Sequence, residues 1–294
     1  MSKKTLEVKP LTSAIGAEIG GVDLKKPLSD SVAGEIRDAM HRHMALFFPA
    51  QFIDAEQLKA LLGIFGEIAQ TRWASHGSEK FGTDPYSHFL RNKDDEAYEE
   101  TTFTNRPHID KGADQFLVKI IGLCALEVPA YGGDTVFTSL YAAYDALSEP
   151  MKAFCESLVG LYSPLRFEQL DAAIKGGPEA MSEIKMRKAA VERPLVHTHP
   201  ETGRRALYLD NVWTWSINNL RPEESTAVLA FLRQHCARPE FQCRFRWTPG
   251  AVAIWDNRCT THLRVPDGFK GDRVLQRASV MCTEEVAFIR GNAA

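Results

Sequence analysis

Two short stretches, far apart in the chain, carry side chains that suit one metal ion. The first contains His108 and Asp110, and the second contains His262. On an extended strand the i, i+2 spacing puts His108 and Asp110 on one face. His262 would complete two imidazoles and one carboxylate, which leave open positions and usually house oxygen-activating non-haem Fe(II). The sequence therefore predicts a fold that brings residues 108–110 and 262 together.

An H-x-D pair alone is weak support, because nine histidines and 38 acidic residues produce such pairs by chance. His41 and His43 form another pair, but on a predicted helix they point about 200° apart and cannot easily share an ion. His197 and His199 are stronger competitors, since their spacing also fits a strand. We expect no carboxylate close to them, and His199 leads directly into a turn at Pro200, so we interpret them as structural.

Hydrophobic periodicity predicts a mainly β chain with helices in its first half and middle. The predicted helices cover residues 30–43, a segment after Asp54, 141–147, 150–159 and 222–236. The predicted strands cover residues 5–9, 45–48, 115–128, 135–137, 195–199, 206–209, 241–247, 251–255 and 273–281. Many strands with gathered helices favour a β-sandwich core with helical cover.

Composition narrows the function classes. The chain is 44% hydrophobic and 25% charged, which is typical of a soluble globular protein with a sizeable core. A formal net charge of −3 gives no general attraction to nucleic acid or to an anionic membrane. Six irregularly spaced cysteines without a C-x-x-C pattern argue against a zinc knot or a disulfide framework. With no signal-peptide pattern or membrane-length apolar run, we expect a cytoplasmic protein without nucleic-acid or membrane partners.

Further motifs surround the predicted metal ligands. In chain order they are Ala17-Glu18-Ile19-Gly20-Gly21-Val22-Asp23-Leu24, Gly132-Gly133-Asp134-Thr135, Thr198-His199-Pro200 to Tyr208, Trp255-Asp256-Asn257-Arg258, and Arg273 and Arg277 after His262. Together with the H-x-D pair they resemble the taurine and 2,4-dichlorophenoxyacetate dioxygenase family, which uses Fe(II) and 2-oxoglutarate. The resemblance covers nearly the whole chain. It implies a double-stranded β-helix (a cupin-like jelly roll) and a single domain over residues 1–294.

The resemblance also implies roles for these residues. His108, Asp110 and His262 would form the catalytic Fe(II) site, where 2-oxoglutarate and O2 yield succinate and CO2 and the substrate is hydroxylated or oxidatively cleaved. Thr135 and Arg273 would bind the distal carboxylate of 2-oxoglutarate, which a guanidinium can hold through two hydrogen bonds. Arg277, four residues after Arg273 on a strand, lies about 13 Å further along the same face. The resemblance places it near the C1 carboxylate and the substrate anion.

Asp110 and three other positions bear on the substrate. Related iron halogenases replace the carboxylate of Asp110 by a small residue, so its presence favours oxygenation. The taurine enzyme has Trp, Asn and a sulfonate-binding His where this chain has Pro107, Thr104 and Thr71. These departures argue against taurine itself. We expect a different small organic anion, such as a carboxylate or a sulfonate.

The substrate pocket is less defined by the sequence. An apolar or aromatic body of the substrate is expected to pack against Trp73, Tyr162 or Phe167. On a straight strand Lys111 points away from the iron, but a bend at Gly112 would let it join Arg277 in binding the anion. Irregular segments near residues 70–105 and 163–190 are predicted to be lids over the site.

Two other function classes remain open. A jelly-roll hydrolase or isomerase with zinc or manganese at the same triad would act without O2 and 2-oxoglutarate, but it leaves Arg273 and Thr135 unexplained. A non-enzymatic binding protein for small acids would keep its ligand after substitution of Asp110. The family often forms dimers or tetramers, so the resemblance implies a homo-oligomer. The sequence does not identify the substrate or the carbon that is oxidised.

Overall fold

The computed structural model describes residues 5–70, 84, 86–92, 103–114, 117–163 and 191–282. Within these residues the chain forms fifteen β-strands and five α-helices. The prediction of a mainly β chain with helical cover is therefore confirmed. None of the helices in the described ranges combines the length and the apolar composition needed to cross a bilayer.

The strands carry the numbers β1 to β15 in chain order. They are β1 (Glu7–Pro10), β2 (Ala17–Gly20), β3 (Ala45–Phe48), β4 (Ser87–Asn92), β5 (Val118–Glu127), β6 (Thr135–Ser139), β7 (Val159–Tyr162), β8 (Val191–Pro194), β9 (Val196–Thr198), β10 (Arg205–Leu207), β11 (Thr214–Ile217), β12 (Gln242–Phe245), β13 (Val252–Asp256), β14 (Thr260–Arg264) and β15 (Arg273–Met281). The α-helices are α1 (Asp30–His43), α2 (Ala55–Gly63), α3 (Leu140–Asp145), α4 (Glu149–Glu156) and α5 (Pro222–Cys236).

Seven strands form the largest sheet, in the order β1-β2-β3-β13-β5-β15-β4. All neighbours in it are antiparallel except β2 and β3, which are parallel. A second, antiparallel sheet has the order β12-β6-β14. Strands β11-β7-β8 form a third sheet, also of three strands, and the hairpin β10-β9 forms a fourth.

One hydrophobic core lies between the seven-stranded sheet and the β12-β6-β14 sheet. Phe47 of β3 stacks on Phe245 of β12 with ring centroids 4.2 Å apart. Phe137 of β6 meets Trp255 of β13 edge-on at 5.2 Å. Burial of each such aromatic side chain contributes about 1.5–3 kcal/mol. These contacts fix the distance between the two sheets that carry the predicted site residues.

Helices α1 and α2 cover the opposite face of the seven-stranded sheet. Because side chains alternate along a strand, Ile254 points to the helices while its neighbour Trp255 points to the inner core. Helix α2 approaches β5 closely at Gly122, where an added Cβ would lie 3.0 Å from the Leu62 side chain. Larger residues at this position would therefore push α2 away from the sheet.

Two helix starts agree with the sequence. Helix α1 begins after Ser29, whose hydroxyl accepts a hydrogen bond from Val32 N. Helix α2 begins after Asp54, which accepts from Gln57 N at 2.9 Å while the Gln57 side chain accepts from Asp54 N at 3.0 Å. This reciprocal pair satisfies two backbone donors that a helix start otherwise leaves open.

Two local predictions were wrong. The predicted helix 150–159 ends at Glu156, because Val159–Tyr162 pairs with two strands as β7. Residues 87–92 were expected to be part of an irregular lid. They form β4 instead, and every residue of β4 pairs with a residue of β15. Most of the other residues of the two proposed lids, including Trp73 and Phe167, lie outside the described residues.

Asp54→Ala is predicted to lower the free energy of unfolding by about 1 kcal/mol, because it removes the N-terminal cap of α2. Urea denaturation followed by circular dichroism measures this change. Asp54→Asn is the matched control, since an asparagine side chain accepts the same hydrogen bond. An equal loss in both variants would contradict the capping role.

Candidate active site

The structure brings His108, Asp110 and His262 together. His108 and His262 exchange two backbone hydrogen bonds of 3.0 Å each. Atom Oδ1 of Asp110 lies 3.4 Å from Nε2 of His108 and 3.9 Å from Nε2 of His262. One potential ligand atom from each residue lies within 4.8 Å of the other two. The predicted set thus converges in space, and its role as a metal site stays a prediction.

His108 and Asp110 do not share a strand, contrary to the expectation from the sequence. Only His108 pairs with β14, and the chain then turns. Gly112 N donates to Ile109 O at 3.1 Å, and Lys111 adopts a left-handed φ of 53°. The strand prediction failed because these local turn hydrogen bonds replace sheet pairing after His108.

Asn257 fixes the position of Asp110 within this turn. Its side-chain Oδ1 accepts from Asp110 N at 2.9 Å, and its Nδ2 donates to Asp110 O and to Val118 O at 3.0 Å each. Asn257 is fully buried, so these hydrogen bonds are shielded from water. Asn257 lies in the Trp255–Arg258 motif, but no role could be assigned to it from that motif.

Three more side chains hold the same turn, and sequence reasoning missed them all. Asp210 Oδ2 accepts from Ile109 N at 3.2 Å, and Trp213 Nε1 donates to Ile109 O at 2.7 Å. Arg193 donates to the carbonyl oxygen of Gly112. Asp210 also accepts backbone hydrogen bonds from residues 212–214. An aspartate before a loop is a known turn signal, which could have pointed to this residue.

Charge favours the protonation states that metal binding requires. Burial alone would raise the pKa of Asp110, but Arg277 and the two histidines hold it well below its usual range. The Arg277 guanidinium lies 2.7 Å from Asp110 Oδ2. Burial, followed by repulsion from His108, lowers the pKa of His262 to about 3. A carboxylate and a neutral imidazole are the ligand forms that bind a metal ion, so this donor set fits Fe(II).

Both predicted 2-oxoglutarate residues lie close to Trp247. Its Nε1 donates to Thr135 Oγ1 at 3.0 Å, and the Arg273 guanidinium lies 5.8 Å above its ring. Arg273 Nε donates to Gly133 O at 2.9 Å. Gly133 has φ +68°, and an added Cβ there would lie 2.8 Å from Arg273 Cδ. Glycine is therefore needed for the buried arginine to fit.

The pKa of Arg273 is lowered to about 9, first by burial and then by the charge of Arg264, with Asp134 opposing the change. A carboxylate bound beside Arg273 would stabilise its charged form. Strand β15 carries Arg273 at its start and Arg277 near Asp110, as the sequence spacing suggested. The two predicted ends of the cosubstrate pocket therefore lie along one strand.

Two cations, Arg277 and Lys111, and the His88 imidazole lie near Asp110. Strand β4 places His88 directly opposite Arg277 of β15. Burial, followed by the charge of Arg277, lowers the pKa of His88 to about 4, and Lys111 acts in the same direction. The turn thus keeps the charge of Lys111 close enough to act on His88. Sequence reasoning missed His88, because its position depends on the register between two distant strands.

Of the three aromatic residues proposed for the substrate pocket, only Tyr162 lies within the described residues. Tyr162 is 0% exposed, donates its hydroxyl to Tyr208 O and packs edge-on against the Tyr208 ring. It belongs to the core, so the proposed pocket contact of Tyr162 is withdrawn. The apolar run around it on β7 reflects core packing. Trp73 and Phe167 lie outside the described residues.

A second group of possible ligands surrounds His199, and here the expectation that no carboxylate lies nearby was wrong. His199 Nε2 lies 3.0 Å from Asp256 Oδ2, and Cys259 completes the group. The fold creates this contact because the hairpin β9-β10 packs near the end of β13, which no local pattern reveals. His197 points elsewhere, with Nε2 2.7 Å from Arg258 O.

The His199 group is better suited to structural support than to metal binding. Both carboxylate oxygens of Asp256 are held by the Arg258 guanidinium. Burial and the nearby Asp256 raise the pKa of Cys259 well above its usual range, so the thiol stays protonated. A metal ion would have to compete with a guanidinium and displace a proton. The earlier interpretation of His199 as structural therefore stands.

Comparisons with known proteins agree with these observations. A family model described as "Taurine catabolism dioxygenase TauD, TfdA family" matches residues 7–279. An alkylsulfatase of Acinetobacter baylyi is 31% identical over 281 residues, covering 94% of this chain and 84% of the relative. An alpha-ketoglutarate-dependent sulfate ester dioxygenase of Pseudomonas putida is 29% identical, covering 94% of this chain and 89% of the relative.

The fold is also similar to that of a solved structure. The crystal structure of a taurine dioxygenase from Burkholderia xenovorans superposes with a TM-score of 0.76 at 33% sequence identity. The match covers 95% of this chain and 91% of that one.

The two histidine groups are predicted to differ in metal binding. His262→Ala should abolish retention of one Mn(II) per chain, because it removes a ligand, whereas His199→Ala should retain the ion and lose stability. Metal content after dialysis, measured by mass spectrometry, checks this, with circular dichroism to verify folding. Loss of Mn(II) in His199→Ala but not in His262→Ala would contradict this assignment and place the metal ion at the His199 group.

Proposed function

The chain belongs to the TauD/TfdA family of taurine catabolism dioxygenases, and we propose that it oxidises a small organic anion at His108, Asp110 and His262. It is a 2-oxoglutarate-dependent dioxygenase, an assignment supported by the family and by its relatives. The convergence of the three side chains, with Arg277 on the carboxylate, is the observation that carries the site assignment.

We assign Fe(II) to the three converging side chains. When bound, Fe(II) supplies the centre at which 2-oxoglutarate and O2 react to give succinate, CO2 and the oxidised substrate. Arg277 occupies Oδ2 of Asp110, so Oδ1 faces the two imidazoles and is the oxygen available for the metal. Asn257 and the mutual bridge of His108 with His262 hold this arrangement in place.

The distal carboxylate of 2-oxoglutarate is assigned to Arg273 and Thr135. Because Trp247 donates to Thr135 Oγ1, the threonine hydroxyl is left to donate its own proton to an acceptor. Burial of Arg273 makes its hydrogen bond to a carboxylate stronger than it would be in water. The two residues together orient the cosubstrate along β15.

The substrate anion is assigned to the two cations Arg277 and Lys111, with the His88 imidazole, whose pKa is lowered to about 4, beside them. Arg277 is paired with Asp110, and we assign Lys111, the residue after Asp110, as a second positive charge for the substrate. The names of two relatives, an alkylsulfatase and a sulfate ester dioxygenase, support a sulfate ester, besides a sulfonate or carboxylate. Trp73 and Phe167 stay proposed contacts for the body of the substrate.

Further proposals concern the form of the protein. The core shared by the seven-stranded and β12-β6-β14 sheets, and their mainly antiparallel pairing, support a double-stranded β-helix. We propose one domain over residues 1–294, which the family match over most of that length supports. The six free cysteines support a reducing, cytoplasmic setting. The proposal of a homo-oligomer, a dimer or tetramer, rests on the family resemblance.

Fe(II)-reconstituted protein with 2-oxoglutarate is predicted to consume O2 faster in the presence of one member of a panel of sulfate esters, sulfonates and aryloxy acids. His108→Ala should reduce this uptake at least a hundredfold, while the matched His41→Ala variant keeps it. An oxygen electrode and succinate quantification provide the readout. Turnover of a panel member with Zn(II) or Mn(II) and without O2 would instead favour a hydrolase or isomerase.

Lys111→Ala is predicted to raise KM for the substrate found in this panel by about tenfold, because it removes a charge-assisted contact. Lys111→Arg keeps the charge and should stay within about threefold of the wild type. Steady-state kinetics at saturating 2-oxoglutarate measures both. An unchanged KM in Lys111→Ala would remove this residue from the anion site.

A further inference from the structure

Arg264 is a buried cation that no motif of the sequence assigned to the site. It is only 7% exposed and lies on β14, two residues after His262. Residues two apart on a strand point to the same face and are spaced by about 7 Å. The face is identified by the His262 ring, which packs against Phe137 and Trp255 of the inner core. Arg264 therefore points to the same interior as the proposed metal ligand.

The strand register puts Arg264 beside Thr135. In the pairing of β14 with β6, His262 lies opposite Phe137 and Arg264 lies opposite Thr135. Directly opposed residues share a face, with Cβ atoms about 5 Å apart. Arg264 is thus a neighbour of the hydroxyl already proposed to bind the distal carboxylate.

Two buried arginines, Arg264 and Arg273, lie in the neighbourhood of this hydroxyl. Arg264 lies close enough to Arg273 for its charge to contribute to the lowered pKa of Arg273. The charge of Asp134 acts in the opposite direction on the pKa of Arg273. Asp134 Oδ2, however, already accepts a hydrogen bond from Arg244 at 2.7 Å. An added carboxylate would offset the repulsion between the two buried guanidinium groups.

We propose that Arg264 is a second arginine for the distal carboxylate of 2-oxoglutarate, together with Arg273 and Thr135. This inference rests on the proposed cosubstrate site. Strand β14 then supplies both a metal ligand and a carboxylate ligand, about 7 Å apart. That spacing suits a five-carbon diacid whose oxo-acid end lies at His262 and whose other end lies at Arg264.

A structural role is the main alternative. Arg264 Nε donates to Asn105 Oδ1 at 3.0 Å, and Asn105 precedes the His108 turn. If Arg264 only held this segment, removing Asn105 would have a similar effect to removing Arg264. Asn105→Ala is therefore the matched control, because it removes the acceptor and keeps the charge.

Calorimetric titration of Mn(II)-loaded protein tests the proposal by binding alone. The ligands are 2-oxoglutarate and 2-oxopentanoate, which has the same chain length without the distal carboxylate. Arg264→Gln should weaken 2-oxoglutarate about ten- to a hundredfold and change 2-oxopentanoate less than about twofold. Asn105→Ala should bind both acids like the wild type. Arg264→Lys keeps the charge and should lose about three- to tenfold for 2-oxoglutarate only, which decides the matter if Arg264→Gln does not fold.

Two results would overturn the assignment of Arg264. One is wild-type affinity for 2-oxoglutarate in Arg264→Gln. The other is an equal loss for both acids, or a loss that Asn105→Ala reproduces, since either indicates damage to the pocket. Failure of the wild type itself to prefer 2-oxoglutarate over 2-oxopentanoate is a distinct outcome, which would overturn the cosubstrate site and Arg264 with it.

Discussion

The buried amide of Asn257 is the contact on which the arrangement around Asp110 most depends. It joins the backbone of the Asp110 turn to β5, and so connects the turn to the largest sheet. A typical hydrogen bond contributes only about 1 kcal/mol, but a buried group left without its partner costs more. Asp110 lies in a turn without sheet pairing of its own. Its position is therefore set by side chains from distant segments, including Arg193, Asp210 and Asn257.

Charge is distributed along the site in a regular way. One strand, β15, places Arg277 at the carboxylate of Asp110 and Arg273 near Trp247. The first arginine compensates a fixed acid, so it contributes little net charge to the cavity. The second lies in a more cationic region, as the direction of its pKa shift indicates. At the proposed cosubstrate site, this difference would give an elongated dianion a preferred orientation.

The sequence predicted those features that depend on local pattern or on a long motif. Strand β15 and helix α5 have the predicted bounds, and His108, Asp110 and His262 meet. Features that depend on tertiary contacts were not predictable. The turn after Asp110 requires a left-handed lysine, which intrinsic preferences disfavour and which surrounding hydrogen bonds enforce.

The same distinction explains the remaining errors. Asp256 approaches His199 only because a hairpin packs near the end of another strand. His88 faces Arg277 through a strand register that no sequence pattern specifies. Tyr162 was proposed as a pocket residue on its chemistry alone, and a buried aromatic ring with a satisfied hydroxyl is equally compatible with that chemistry. In each case the missing information was a contact between segments far apart in the chain.

The backbone bridge between His108 and His262 has a consequence for biosynthesis. More than half of the chain lies between these two residues, so their pairing is a long-range contact, like the pairing of β3 with β13. Such contacts form late, since the entropy of closing a long loop must first be overcome. A chain still on the ribosome without β14 lacks one of the three proposed ligands. On the proposed assignment, acquisition of a redox-active ion follows completion of the sheet, and nascent or unfolded chains are spared its oxygen chemistry.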